Sequence, residues 1–206
     1  MAAKNESAGR VIAPAPEPTC GAEAQPSQPV PAGSPVTSLA RAAVETFVLK
    51  RQVIKPESPP QESLLTRPSA CFVCIKTLGR ELRGCIGTVE PEKDTLAEEV
   101  ISNAVKAATR DPRFAPLARE ELPSLRYSVD VLEAPEPAEL EDLDPALFGL
   151  IVTNRAGSRR GLLLPAIESV RTAAQQVNVA ARKAGIAPGE PLKLYRFRTQ
   201  RFSEWT

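Results

Sequence analysis

The fold turns on residues 82–88, Leu82-Arg83-Gly84-Cys85-Ile86-Gly87-Thr88 (LRGCIGT). The segment has β-formers, yet two glycines interrupt it. Glycine in a strand loses the most chain entropy and packs nothing, so a pair of them marks a bulge or the close approach of another backbone or a ligand. Upstream, Ala70–Lys76 (ACFVCIK) is a short apolar run, and Leu78-Gly79-Arg80-Glu81 is a turn. The two runs with that turn predict a β-hairpin with LRGCIGT in its second arm.

Outward from the hairpin, strands recur as hairpins with helices between them. Thr95 and Glu98 form a capping box ahead of Leu96, Ala97, Val100, Ile101, Ala104, Val105 and Ala108, an apolar face at helical spacing. Asp111-Pro112 ends that helix. Leu125, Tyr127, Val129 and Val131 alternate with polar residues, which predicts a half-buried strand. LFGLIVT (147–153) and GLLL (161–164) flank a turn at 154–160, a second hairpin. Residues 169–184 read as a helix stopped by Gly185, and 192–202 as one closing strand. This order predicts an α+β fold with a mostly antiparallel sheet flanked by helices.

The chain has 206 residues, enough for one domain with a tail. Residues 1–36 carry seven of the 21 prolines and few large aliphatics, so they read as a disordered Pro/Ala-rich tail, with the domain over 37–206. Helical spacing starts at Thr37-Ser38. The formal net charge of +1 gives no electrostatic case for a dedicated nucleic-acid or anionic-membrane binder. The N-terminal segment lacks the basic-then-apolar pattern of a signal peptide, and no stretch is long and apolar enough to span a bilayer, so the expected location is cytoplasmic.

There are no histidines, which removes Ser-His-Asp and Cys-His arrangements and most ordinary metal sites. No metal or cofactor is expected. Cys71 and Cys74 form a C-x-x-C, but residues three apart on a strand point to opposite faces, so a redox or metal role is disfavoured. Cys85 shares a strand face with Arg83 and Gly87. A nearby guanidinium can favour thiolate, or it can hold a carboxylate or phosphate. The residues alone leave open whether Cys85 is reactive or a small packing residue. Asp111-Pro112-Arg113-Phe114 (DPRF) reads either as a solvated helix-terminating turn or as a charged pair brought beside the glycine strand.

LRGCIGT and DPRF, with EELP (120–123), Pro135-Glu136-Pro137, GLIV (149–152), GLLLP (161–165), KAGI (183–186) and LYRF (194–197), resemble the AMMECR-type domain family in order and spacing. The resemblance covers roughly 37–206. It implies an α+β fold of two unequal lobes with LRGCIG near the cleft between them. It also implies Memo-like and radical-SAM proteins as partners, as for stand-alone members called AmmeMemoRadiSam system protein A. Phe148 stands where the family often has histidine.

The functional expectation is an enzyme component acting on a small anionic substrate at the LRGCIG cleft. Cys85 would be the catalytic candidate, and Arg83, Gly84, Gly87, Asp111, Arg113 and Phe114 would bind the substrate. Tyr127, Tyr195 or Glu120 could supply an acid or base. The alternative is a non-catalytic ligand- or partner-binding module. A third reading is RNA binding through Arg155, Arg159, Arg160, Arg196, Arg198 and Arg201, set against a solvated strand face whose arginines are balanced by acids such as Glu141, Asp142 and Asp144.

Overall fold

The structure, a computed structural model, describes residues 33–56 and 63–205. The proline-rich segment, read as a tail over 1–36, falls almost entirely outside the described residues. The first helix, α1 (Pro35–Lys50), starts two residues ahead of the Thr37-Ser38 signal. Ser34 is its N-cap and accepts the Thr37 N–H at 3.2 Å, with Pro35 in the first turn where its missing N–H costs nothing.

Two four-stranded sheets follow, every pairing antiparallel. The first has the order β2-β1-β3-β8, built from β1 (Cys71–Thr77), β2 (Leu82–Gly87), β3 (Leu125–Leu132) and β8 (Thr199–Ser203). One face packs on α1 and α2 (Leu96–Thr109), with Val73, Ile75, Val129, Ala40, Val44 and Ala104 in the shared core. Each valine or isoleucine among them contributes about 1.5–3 kcal/mol on full burial. The second sheet has the order β4-β7-β5-β6, from β4 (Glu136–Ala138), β5 (Gly149–Asn154), β6 (Arg160–Leu163) and β7 (Leu192–Phe197), and packs on α3 (Ala173–Lys183). A third cluster joins the lobes. Ala70, Leu132 and Phe72 meet Ile151, Leu162 and Phe197 there.

Three sequence expectations change. The closing strand over 192–202 is two strands, β7 in one sheet and β8 in the other, broken at Arg198 where the chain crosses between lobes. Continuous alternation cannot reveal a change of sheet. β3 is not half-buried but central. Ser128 and Asp130 are buried on its second face, and Asp130 is held by Arg201 through bonds of 2.6 and 3.0 Å. Finally, α3 starts at Ala173, because Thr172 and Gln175 form the capping box there. No described helix is long and apolar enough to cross a membrane.

Candidate functional site

β2 is the outer strand of its sheet, and the LRGCIG motif is that strand. Cys85 lies directly opposite Cys74 of β1, with Cα atoms 4.1 Å apart, and the two sulfurs are joined in a disulfide. So short a Cα separation belongs to a non-hydrogen-bonded antiparallel pair, in which the backbone N–H and C=O point away from the neighbouring strand. At Cys85 they point out over the sheet edge.

The DPRF turn takes up both groups. The Asp111 carboxylate accepts the Cys85 N–H at 2.8 Å, and Arg113 Nη2 donates to the Cys85 carbonyl at 3.4 Å. Arg113 also donates to Asp111 through Nε at 2.9 Å and Nη2 at 2.7 Å. The pair thus replaces a neighbouring strand at this residue and blocks the edge. Burial pushes the Asp111 carboxyl up, but the Arg113 side-chain bond, the Cys85 and Arg113 N–H groups and the Arg113 charge outweigh it and hold it below the ordinary value. The expected meeting of the two motifs therefore occurs.

The remaining candidates serve the same scaffold. Arg83 is the extra residue of a bulge, lying between the pairs Ile75–Gly84 and Lys76–Leu82. Its guanidinium grips Glu121 at 2.6 and 3.0 Å and donates to the Ala115 carbonyl at 3.0 Å. The Arg83 bond, partly opposed by burial, lowers the Glu121 carboxyl, helped by the Ala118 N–H. Phe114 lies beneath both guanidinium groups, 5.8 Å from Arg83 and 5.4 Å from Arg113. Gly84 is buried under α2: a Cβ there would stand 2.3 Å from the Ala107 carbonyl oxygen. At Gly87 a Cβ would stand 2.3 Å from the Phe72 ring. Both glycines admit close approach by the protein's own atoms.

Cys71 and Cys74 point to opposite faces, as strand geometry requires. Cys71 is a free buried thiol in the helical core, pushed up by burial to about 12. The Cys74–Cys85 pairing was missed in the sequence, although both residues lie equally far from the Gly79-Arg80 centre of the turn, and that symmetry could have found it. Glu121, rather than its neighbour Glu120, is the acid at the motif. Tyr127 is fully buried beneath Arg41, away from Cys85, with its phenol raised by burial. Tyr195 belongs to the cluster between the lobes.

The arginines of the RNA reading are largely paired, but with other acids than the sequence suggested. Arg159 meets Glu190, Arg160 meets Glu90, Arg196 meets Glu136 and Arg201 meets Asp130. Arg196 and Arg198 do share a face, both stacked on Phe148. A cavity of about 450 Å³ lies elsewhere, lined by Pro137, Leu140, Val177, Leu192 and Tyr195, and none of the LRGCIGT or DPRF residues lines it. Among the described residues no three Cys, Asp or Glu side chains cluster to hold a metal.

Two antiparallel sheets, with an LRGCIG edge strand closed by a DPRF turn, place this chain in one defined class of α+β domain. The chain belongs to the AMMECR1 family, whose model matches residues 37–202. It is 41% identical over 170 residues to a protein of Thermotoga maritima, covering 82% of this chain and 97% of that one. It is 40% identical over 172 residues to Protein CA_C1420 of Clostridium acetobutylicum, covering 82% of this chain but 36% of that one. The crystal structure of the uncharacterized protein PH0010 from Pyrococcus horikoshii has the same fold, with a TM-score of 0.73 at 30% identity, covering 82% of this chain and 89% of that one.

Proposed function

We propose that this chain is a cytoplasmic ligand- and partner-binding module of an AmmeMemoRadiSam-like system, taking a small anionic compound at the LRGCIG cleft. The partnership with Memo-like and radical-SAM proteins rests on the family resemblance. One observation weighs against covalent chemistry at this site: the Cys85 sulfur and the charged groups that would activate it are already committed. The Cys85 sulfur is joined to Cys74, Asp111 holds the Cys85 N–H and Arg113, and Arg83 is locked on Glu121. A nucleophilic thiolate needs an available sulfur and an activating neighbour. The enzyme reading keeps one supporting observation, that Cys85 is only half-buried, so reduction would present its thiol near Arg113.

The test is the pH dependence of Cys85 alkylation by peptide mass spectrometry, with and without reductant. Binding without covalent chemistry predicts protection before reduction. After reduction, Cys85 should titrate no lower than the roughly 8.5 of a free thiol. A reduced Cys85 that reacts fast and titrates well below that value would overturn the preference and restore the enzyme reading.

A further inference from the structure

The Cys74–Cys85 bridge joins two residues that face each other across β1 and β2. Its S–S bond therefore runs across the strands, on the sheet face turned away from α1 and α2, which Val73 and Ile75 cover from the other side. The two ends of the bond have different surroundings. Beyond Cys85 no described strand pairs with β2, which is the outer strand, and Cys85 is half-buried. Beyond Cys74 stands Ser128, its partner on β3, and both residues are buried. A thiolate that opens a disulfide approaches one sulfur in line with the S–S bond and expels the other. The in-line path to the Cys85 sulfur comes from the sheet edge. The path to the Cys74 sulfur runs over Ser128.

The strand does not depend on the bridge for its place. Phe72–Gly87, Val73–Ile86 and Ile75–Gly84 pair on either side of it. Asp111 holds the Cys85 N–H, and Glu121 holds Arg83. The bridge itself spans a sequence separation of only 11 residues, and a crosslink that closes a short loop restricts the unfolded chain least. Opening it leaves the two thiols opposite one another on a strand pair that is still formed, ready to close again.

We propose that Cys74 and Cys85 form a reversible thiol–disulfide site whose substrates are low-molecular-weight thiols and their disulfides, with Cys85 as the sulfur that exchanges. The thiolate of the small molecule attacks the Cys85 sulfur. A new S–S bond forms, the Cys74–Cys85 bond breaks, and Cys74 leaves as a thiolate that takes up a proton. A second small thiolate attacks the small-molecule sulfur of this mixed disulfide and frees Cys85. The bridge gains two electrons, and two small thiols become one disulfide. The reverse sequence closes it. Cys85 is here the sulfur attacked, so its engagement in the bridge makes the step available. The proposal goes beyond the cleft-binding reading and does not depend on it.

The experiment equilibrates the full chain in mixtures from wholly reduced to wholly oxidised glutathione. Samples are quenched in acid, alkylated and read by peptide mass spectrometry. The bridge should pass from open to closed at an intermediate mixture, with the transient glutathione adduct on the Cys85 peptide and with Cys71 unlabelled throughout. In oxidised glutathione Cys74→Ser should hold the adduct on Cys85, whereas Cys85→Ser should acquire it on Cys74 several-fold more slowly. A bridge that stays closed in every mixture and yields only to dithiothreitol is a structural crosslink and overturns the proposal. Thiols that stay open in oxidised glutathione overturn it as well, as does labelling of Cys71 in step with opening, which would mean that thiols reach the bridge only through unfolding. Equal adduct formation on Cys74 and Cys85 overturns the assignment of the exchanging sulfur.

Discussion

The Asp111 carboxylate accepts the outward backbone N–H of Cys85 at 2.8 Å, so a side chain from a turn stands where a fifth strand would otherwise add. Asp111 is almost completely buried and is held by Arg113, and removing it strands a backbone donor and a guanidinium together. Asp111→Ala should therefore cost about 1–3 kcal/mol, the usual range for leaving a donor without its partner, since the Arg113 side chain stays open to solvent. Urea denaturation measures this against Glu141→Ala, an exposed control expected to stay within about 0.5 kcal/mol. Equal midpoints for the two variants would show that the turn does not secure the edge.

The same contacts set a pH dependence. Asp111 and Glu121 are held below their ordinary values of 3.8 and 4.5. A depressed carboxyl contributes stability that is present above its unfolded value and is lost as pH falls through the folded one. Stability should thus decline on acidification from about pH 4.5 downward. At the alkaline end the sign reverses. Burial raises Cys71 and Tyr127 above 9.0 and 10.0, so stability present below those values falls as pH rises past them. Thermal melts across pH 3–11 check both limbs. Asp111→Asn should flatten the acid limb, and Cys71→Ala the start of the alkaline one.

Gly84 tests whether its conformation or its space is essential. Its missing Cβ would lie 2.3 Å from the Ala107 carbonyl, in a helix backbone that cannot yield cheaply. Gly84→Ala should push α2 off the sheet and cost about 1–3 kcal/mol or more, as overpacking does. At Gly79 the nearest atom to a new Cβ is 3.7 Å away, so Gly79→Ala should be close to neutral. At Gly87 the Phe72 ring must move, and Phe72→Leu should partly rescue Gly87→Ala, although the Cys71 carbonyl at 2.7 Å keeps the rescue incomplete. Chemical denaturation of the single and paired variants reads these differences.

Much of this architecture was legible because it is local. The hairpin at 71–87, the Thr95 cap and the Gly185 stop each follow from neighbouring residues. Gly185 has the positive φ, +66°, that a helix stop favours. What the sequence concealed is non-local. β4 carries Pro137, which disfavours a strand, yet it sits at the edge of its sheet, where a missing N–H is tolerated. Glu99 reads as a polar member of an amphipathic helix. It is in fact buried, accepting from the Thr88 hydroxyl at 2.7 Å and from the Glu92 and Lys93 N–H groups at 2.8 and 2.9 Å. At the candidate site, spacing identified the two motifs but not their chemistry, because the partners of Cys85, Arg83 and Asp111 are set by pairing register and turn geometry.

The three described cysteines should separate by environment. Cys71 is surrounded by the helical core, and its thiol is pushed up to about 12, leaving almost no thiolate at pH 8. Alkylation needs thiolate, so native Cys71 should react about a thousandfold more slowly than a free thiol near 8.5. Its labelling should therefore follow opening of the fold rather than reagent access. Cys74 and Cys85 should instead be governed by reductant, since each sulfur holds the other. After reduction the half-buried Cys85 should label before the fully buried Cys74. Quenched alkylation with peptide mass spectrometry at increasing urea resolves all three. Cys71 labelling at the free-thiol rate in native protein would place it outside the core, and simultaneous labelling of Cys74 and Cys85 on reduction would mean that the hairpin opens as a unit.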